Sequence, residues 1–424
     1  MDFFNYKNGK MHAEDVALVD IADEYGTPCY VYSSATLTRH FNVFADALRG
    51  MDAMICYAIK ANSNQAVIRT LAGLGAGADV VSGGELARAL KAGIKPYKIV
   101  FSGVGKLDHE IKAALSAGIK QINVESEPEM ERINEIAIGL GVVAPIALRV
   151  NPDVDAGTHE KITTGRKENK FGIEWEQVVD VYKKATALPG LNIQGIAVHI
   201  GSQLKDLTPF SEAYERAAAM IEQLRSEGLS VNVLDLGGGL GIPYGEEGEA
   251  DAPLPEAYTQ MIRETTGHLG VEVVLEPGRM ITGNSGILVT RVIFVKEGPT
   301  KTFVITDAGM NDLIRPTLYN AYHLITTETQ PPIDAPRKAV DVVGPICESG
   351  DTFAKDRKLP PIQAGDLLVM RTSGAYGAVQ ASTYNTRPLI AEVMVNGNIH
   401  SVIRERMSVE DIIALDKLPE WLND

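Results

Sequence analysis

Two hydrophobic patterns divide this chain of 424 residues. From about residue 50 to 280, short apolar runs rich in β-branched residues alternate with longer segments in which apolar residues recur at helical spacing. The eight runs are MICYAI, ADVVS, KIVFS, INVES, PIALRV, IQGIAVHI, VNVLDLG and VEVVLEP. The helical segments include GELARALKAGI, DHEIKAALSAGI and PFSEAYERAAAMIEQLRSEG. Eight β-α units in succession favour a (β/α)8 TIM-type barrel, although the count by itself also allows a doubly wound sheet.

The second pattern begins after about residue 283, where strand-like stretches follow one another without long helices. They are GILVTRVIFVKEG, KTFVITDAG, AVDVVGPIC, GDLLVMRTSGAYG and LIAEVMVNG. We predict that the barrel spans residues 31–283 and that a C-terminal all-β, Greek-key-like domain spans residues 284–424. The N-terminal segment, residues 1–30, is expected to pack with the β domain.

Composition narrows the class of protein. A chain that is 45% hydrophobic and 22% charged can bury a large core, and its length suits two domains. The formal net charge of −15 argues against nucleic acid or an anionic membrane as partner, because either polyanion would be repelled. The start of the chain has acidic residues in every apolar run, so we expect no signal peptide and a cytoplasmic location. Its three cysteines are far apart, which argues against disulfides or a structural metal site.

A barrel carries its chemistry at the carboxyl ends of its strands, and polar residues cluster at the ends of these runs. Many of them are residues that also form ordinary loops, so part of the set is expected to be structural. The run ends supply Lys60, Ser82, Ser102, Gly103, Glu125, Arg149, Asn151, His199, glycines 237–239 and Glu276.

Four features of this set match the needs of pyridoxal phosphate. The cofactor requires an amine, an anchor for its phosphate, a platform for its ring and a partner for its pyridine nitrogen. Lys60 in YAIKAN, the glycines of DLGGGLGIPYG, His199 in HIGSQ and Glu276 in EPGR would supply them. Each feature alone has an ordinary explanation: a lysine that reaches out to solvent, a glycine turn without ligand, a core histidine and a surface ion pair.

The motifs YAIKAN, DVVSGGEL, HIGSQ, GGGLG and EPGR, followed by GPICESGD and SGAYG, resemble those of the PLP decarboxylases that share a barrel fold with alanine racemase. The likeness spans nearly the whole chain. Within that family the chain is similar to the branch that acts on diaminopimelate, on account of THEKITTGRKENKFGI (residues 158–173) and RPTLY (residues 315–319). The resemblance implies decarboxylation of meso-2,6-diaminopimelate to L-lysine and CO₂, the last step of bacterial lysine biosynthesis.

The resemblance also implies roles for individual residues. The cofactor would be held by Lys60 (its covalent anchor), His199, Gly238, Gly239, Glu276, Pro277, Gly278, Arg279 and Tyr376. The substrate would be bound by Arg279, Arg315, Tyr319, Glu348 and Tyr376, and Cys347 would be the catalytic acid. Arg315 and Tyr319 are four residues apart, so a helix would place them on one face as a carboxylate clamp. Relatives of this fold pair head to tail, which implies a homodimer with shared active sites.

Three other functions compete with this hypothesis. A decarboxylase of ornithine, arginine or a related basic amino acid would bind substrates that end in a cation and have no second carboxylate. Arg315 would repel that cation. An amino-acid racemase would need a second acid/base group facing Lys60. A non-enzymic PLP carrier built on one barrel would have no use for the loop motifs of the β domain.

Overall fold

The computed structural model describes residues 2–154 and 170–422. The chain divides into two compact units. The first, which we call the β unit, comprises Met1–Leu37, Tyr244–Glu249 and Thr282–Asp424. The second, which we call the barrel unit, comprises Thr38–Pro243 and Ala250–Ile281.

The β unit begins with short elements at the N-terminus. They are strands β1 (Phe4–Lys7), β2 (Lys10–Ala13) and β3 (Val16–Ala17), helix α1 (Leu18–Tyr25) and strand β4 (Cys29–Ser33). Strands β1 to β3 form an antiparallel sheet of their own. Helix α1 buries Leu18, Ile21 and Ala22 on one face and ends before Gly26, whose φ of 73° suits glycine. Helix α2 (Ser34–Ala47) then leads along the chain into the barrel unit.

Eight parallel strands build the barrel unit. They are β5 (Ala53–Ala58), β6 (Gly77–Val80), β7 (Ile99–Phe101), β8 (Gln121–Val124), β9 (Ala144–Asn151), β11 (Leu191–Ala197), β12 (Val233–Asp235) and β13 (Glu272–Leu275). Neighbouring strands pair in the order β9-β11-β12-β13-β5-β6-β7-β8, and β8 pairs with β9 to close the ring. A two-residue strand, β10 (Ile173–Glu174), adds to β9 outside the ring. Closure confirms the predicted barrel and excludes the doubly wound sheet.

Helices follow the strands of the barrel. They are α3 (Gln65–Gly73), α4 (Gly83–Lys91), α5 (Asp108–Ala117), α6 (Glu127–Leu140), α7 (Val178–Ala187), α8 (Thr208–Ser226), α9 (Pro255–Thr266) and α10 (Arg279–Thr282). Helix α6 shows why these segments are helical. The Ser126 hydroxyl caps its N-terminus, it buries Met130, Ile133 and Ala137, and it ends at Gly141 in the left-handed conformation.

The barrel interior changes character along its axis. One level is apolar, formed by the buried side chains of Cys56, Val100, Val233 and Val274. Toward the carboxyl ends of the strands the buried side chains are polar: Asp79, Asn123 and Asp235. Buried polar groups are costly unless they are hydrogen-bonded, so this end of the barrel is built as a polar network.

The rest of the β unit is a large sheet. Its elements are β14 (Gly286–Glu297), β15 (Thr302–Thr306), α11 (Arg315–Tyr319), β16 (Ile325–Thr327), β17 (Lys338–Val343), β18 (Thr352–Leu359), β19 (Leu367–Met370), β20 (Ala391–Asn396), β21 (Ile399–Arg404) and α12 (Val409–Ile413). The main path runs β18-β17-β15-β14-β4-β20-β21, with β19 joining β14 to β16. The N-terminal strand β4 is therefore a central strand of this sheet.

Two cores cover the faces of that sheet. Cys29 and Val31 of β4 lie in one core, whereas Tyr30 and Tyr32 lie in the other. Successive side chains of a strand point to opposite faces, so every residue of β4 is buried. This two-sided burial explains why CYVYS carries no charged residue instead of alternating apolar with charged residues.

Candidate active site

Lys60 lies in a single turn of 3₁₀-helix, Ile59–Ala61, directly after β5. A hydrogen bond stabilises this turn: the Tyr57 hydroxyl donates to the carbonyl of Asn62 at 2.9 Å. The Lys60 ammonium forms an ion pair with Asp79 of β6, whose side chain is fully buried. The lysine therefore directs its amine into the barrel, and the alternative of a side chain that only reaches for solvent is wrong.

A cavity of about 430 Å³ opens at this end of the barrel, within the size range of small-molecule sites. It brings together three residues that the sequence analysis assigned to one cofactor: Lys60, His199 and Glu276. The other lining residues are Val81, Ser102, Gly103, Val104, Gly105, Asn123, Arg149, Phe171, Ala197, Val198 and Asp235. They come from loops and strand ends all around the barrel.

His199 presents a neutral imidazole ring to the cavity. The N–H of Gly238 donates to its Nδ1 at 3.2 Å, so the ring hydrogen is on Nε2. Burial lowers the pKa of His199 well below its usual value, and the positive charges of Arg149 and Lys60 lower it further. A half-buried ring with no charge is suited to contact with a flat ligand.

Two buried acids lie beside each other at the floor of the cavity. Burial raises the pKa of Asp235 to about 6, although Asn123 and the N–H of Gly237 donate to its oxygens at 2.9 and 3.0 Å. Burial also raises the pKa of Glu276 well above its usual value, and the neighbouring carboxylates of Asp235 and Asp79 raise it further. A positively charged ligand atom placed here would favour the ionised form of Glu276 again.

The glycine cluster packs between His199 and the EPGR turn. A Cβ on Gly238 would lie 2.2 Å from the carbonyl oxygen of Glu276, so the two backbones approach as closely as only glycine allows. The carbonyl of Gly237 accepts the N–H of Glu276 at 2.7 Å. Gly238 and Gly239 do not line the cavity described above, and the N–H of Gly238 donates to the ring of His199. The predicted phosphate role of these glycines stays a prediction.

The remaining residues of EPGR are packed under the lysine turn. The carbonyl of Pro277 accepts the N–H of Ala58 at 3.2 Å. A Cβ on Gly278 would lie 3.0 Å from that of Ala61. The buried guanidinium of Arg279 donates to the Ser202 hydroxyl at 3.0 Å. Pro277 and Gly278 thus pack against the segment that carries Lys60, whereas Arg279 contacts Ser202.

Helix α11 of the β unit carries the predicted carboxylate clamp. Arg315 and Tyr319 are its first and last residues, so the segment is helical as the clamp requires. The buried Arg315 guanidinium is 2.8 Å from Nε2 of His323 and lies over the Tyr244 ring at 4.8 Å from its centroid. His323 uses Nδ1 to donate to the carbonyl of Arg371 at 2.9 Å, so Nε2 accepts from Arg315 and the imidazole is neutral.

Three further predicted residues lie on loops of the same unit. Cys347 and Glu348 are exposed, whereas Cys29 and Cys56 are buried. Tyr376 is half-buried and has a φ of 57°, in the left-handed region. The segment 158–173, which contributed to the family resemblance, lies outside the described residues up to position 169.

Three comparisons place these features in a family. The family described as "Pyridoxal-dependent decarboxylase, pyridoxal binding domain" matches residues 34–283. Diaminopimelate decarboxylases of Vibrio cholerae and Zymomonas mobilis are 50% and 48% identical, and each alignment covers 99% of this chain and at least 99% of the relative. The chain belongs to the diaminopimelate decarboxylase family. A solved diaminopimelate decarboxylase from M. jannaschii, in co-complex with L-lysine, covers 99% of both chains with 37% identity and a TM-score of 0.94.

A diaminopimelate decarboxylase is pyridoxal-dependent, and the cavity fits that cofactor. It offers one amine, one neutral ring and two buried acids, Asp235 and Glu276. A cationic ring nitrogen beside Glu276 would offset the raised pKa of that acid. Within residues 2–154 and 170–422, His, Cys, Asp and Glu form no group suited to a metal ion. In the same ranges no helix is long and apolar enough to cross a bilayer.

Sequence analysis missed two acids that interact with the predicted site residues. Asp79 pairs with Lys60, and Asp235 raises the pKa of Glu276. Both are single acids inside otherwise apolar strands, ADVVS and VLDLG, a signal that marks buried charge. Conversely, Ser82 caps helix α4 by accepting the N–H of Glu85 at 3.2 Å, so its position at a strand end is structural.

Proposed function

We propose that this protein is a carboxy-lyase that converts meso-2,6-diaminopimelate to L-lysine and CO₂ with pyridoxal phosphate. One observation carries the proposal: Lys60, His199 and Glu276 line one cavity in a chain that matches diaminopimelate decarboxylases over its whole length. The L-lysine present in the M. jannaschii structure is the product of this reaction.

Bound pyridoxal phosphate supplies the electron sink for the electron pair left behind when the substrate carboxylate departs as CO₂. Lys60 is the residue whose amine would hold the cofactor. While that amine is a free ammonium, Asp79 stabilises its positive charge through the ion pair. Glu276 would hold the proton of the pyridine nitrogen, since a cation beside it offsets the burial that now raises its pKa. His199 would lie against the ring face.

The phosphate group would be held by backbone donors of the glycine cluster and of the turn formed by Gly278 and Arg279, with Tyr376. The close packing of this region supports the proposal, because a Cβ at Gly238 would displace the backbone around it. The N–H of Gly238 donates to His199, so Gly238 would hold the histidine ring in position. The N–H of Gly239 would be a donor to the phosphate.

Substrate choice would depend on arginines. Diaminopimelate carries a carboxylate at both ends, and the guanidinium groups of Arg279 and Arg315 are suited to bind carboxylates in bidentate fashion. Tyr319 lies on the same helix as Arg315. Ornithine and arginine end in a cation, so they would leave Arg315 facing a like charge. Glu348 would recognise the ammonium group at the far end of the substrate.

Cys347 would complete the reaction by giving a proton from Sγ to the carbon that has lost CO₂. It is the exposed cysteine of the three, all of which are free thiols. Burial raises the pKa of Cys29 to about 12 and raises that of Cys56 well above its usual value, so neither can serve as an accessible acid.

The enzyme would work as a head-to-tail homodimer in which Cys347 and Glu348 of one chain face Lys60 of the other. The exposure of both side chains in a single chain supports this arrangement. A cytoplasmic location is proposed with it, because three free thiols suit a reducing compartment.

The test is direct. The purified protein, loaded with PLP, is incubated separately with meso-diaminopimelate, ornithine, arginine and alanine, and CO₂ and amino-acid products are measured. Release of CO₂ and L-lysine from the first substrate alone supports the proposal. Turnover of ornithine or arginine in its place would assign the chain to the decarboxylation of basic amino acids, and racemised alanine would assign it to the racemases.

A further inference from the structure

The loop that carries Cys347 is folded around one buried carboxylate. Asp351 is only 3% exposed, its Oδ1 accepts the N–H of Met310 at 2.6 Å, and its Oδ2 accepts the N–H of Ile346 at 2.6 Å. Hydrogen bonds to an ionised acceptor are stronger than those between neutral groups. The backbone N–H of Ile346, the residue immediately before Cys347, is therefore held by a charge-assisted hydrogen bond.

Backbone contacts complete the turn. The N–H of Glu348 donates to the carbonyl of Ile346 at 2.8 Å, and the N–H of Asp351 donates to the carbonyl of Glu348 at 3.0 Å. Gly344 faces the same carboxylate, and a Cβ there would lie 2.5 Å or less from both oxygens. The loop can thus close on Asp351 only because a glycine stands opposite.

The loop is also tied to the helix that carries Arg315. The Thr317 hydroxyl of α11 donates to the carbonyl of Gly350 at 2.7 Å. The backbone from residue 344 to 351 is consequently fixed at both ends and in the middle, while Cys347 and Glu348 project from it with exposed side chains. Fixed backbone under exposed functional groups is the arrangement that catalytic loops need.

We infer that Asp351 is a positioning residue, which sets the backbone from which Cys347 and Glu348 meet the substrate. The inference deepens the proposed function and rests on it for the role of Cys347. Asp351 would act through Cys347 and would not itself touch the substrate.

A double-mutant cycle in the PLP-loaded enzyme tests this role. Asp351→Asn keeps the shape of the side chain but turns one acceptor into a donor that faces a backbone N–H. If the residue acts through the thiol, the substitution should lower kcat about tenfold in the wild-type background and less than about twofold in a Cys347→Ala background. An equal fold loss in both backgrounds would mean a general structural role and would overturn the inference.

Alkylation of Cys347 gives a second readout that needs no turnover. Iodoacetamide labelling, followed by mass spectrometry, should be at least about threefold faster in Asp351→Asn, because a loosened loop exposes the thiol in more orientations. Asp356→Asn is the matched control, since that side chain is 75% exposed, and its labelling rate should be unchanged. Equal rates in wild type and Asp351→Asn would contradict the inference.

A further variant covers the case in which Asp351→Asn does not fold. Thr317→Val removes only the hydroxyl contact to Gly350, and it should shift kcat and labelling in the same directions by smaller factors. If it leaves both unchanged while Asp351→Asn is unfolded, the loop is not under positional control and the inference fails. If the wild type does not decarboxylate diaminopimelate, the proposed function is refuted. The labelling rates would still show whether Asp351 holds the loop that carries Cys347.

Discussion

Gly238→Ala adds one methyl group at the point where the glycine cluster meets Glu276. The ideal Cβ position is 2.2 Å from the Glu276 carbonyl oxygen, whereas real Cβ atoms stay at least 3.0 Å from other heavy atoms. The backbones must therefore separate by 0.8 Å or more, the difference between these two distances. Gly238 is not among the glycines with positive φ, so the expected effect is steric and not conformational.

The cost follows from these contacts. Overpacking against backbone costs roughly 1–3 kcal/mol, because no flexible side chain can move aside. The displacement also lengthens the 3.2 Å hydrogen bond from Gly238 to His199, a loss of about 0.5–1.5 kcal/mol. We expect the free energy of unfolding to fall by roughly 1.5–4.5 kcal/mol in total. Since His199 and Glu276 move together, PLP affinity should fall at least about tenfold, the equivalent of about 1.4 kcal/mol.

Two measurements on the cofactor-free protein check this: denaturant unfolding, and titration with PLP followed by absorbance. Gly139→Ala is the control, because Gly139 lies in helix α6 and, apart from the helix's own backbone, no atom lies within 4 Å of the added Cβ. It should leave PLP affinity unchanged and stabilise the chain by about 0.5–1 kcal/mol. If Gly238→Ala binds PLP and unfolds like wild type, the close approach of these backbones has no bearing on the cofactor site.

Four other outcomes are expected. Borohydride reduction of the yellow, PLP-loaded protein should attach the cofactor to Lys60, and a label on another lysine would refute that assignment. Arg315→Ala should leave PLP binding intact but weaken transition-state binding of diaminopimelate by roughly 2–5 kcal/mol. Loss of the cofactor colour, or normal kinetics, would contradict the carboxylate-binding role of Arg315. Exchanging subunits between Lys60→Ala and Cys347→Ala chains, each with no more than slow residual turnover, should restore about a quarter of wild-type activity if half the dimers are hybrids. Verified hybrids no more active than their parents would exclude a shared site. Thiol alkylation near neutral pH should modify Cys347 and spare Cys29, whose burial raises its pKa to about 12; rapid labelling of Cys29 in the folded protein would contradict its burial.

Much of the barrel was predictable because its signals are local. Short apolar runs become buried parallel strands, and amphipathic segments with caps such as Ser126 become helices, through interactions within a few residues of each other. The choice between a barrel and an open sheet was not local. It depends on the pairing of β8 with β9, which closes the ring and which no window of sequence contains.

The N-terminal segment illustrates the same limit. The sequence analysis ended this segment at residue 30 and began the barrel at 31, whereas the β unit extends to Leu37. Strand β4 is buried on both faces because it pairs with β14 and β20, which are more than 250 residues away in sequence. Such a partner cannot be read from the composition of CYVYS alone.

Sequence motifs by themselves determined which residue types the cofactor site contains, since an amine, a ring and an acid at strand ends are visible in YAIKAN, HIGSQ and EPGR. Tertiary structure decided their chemical state. Asp79 turns the Lys60 amine inward, Gly238 sets the tautomer of His199, and Asp235 raises the pKa of Glu276. The physical reason is that charge, tautomer and pKa depend on distances between side chains from different strands, and only the closed barrel sets those distances.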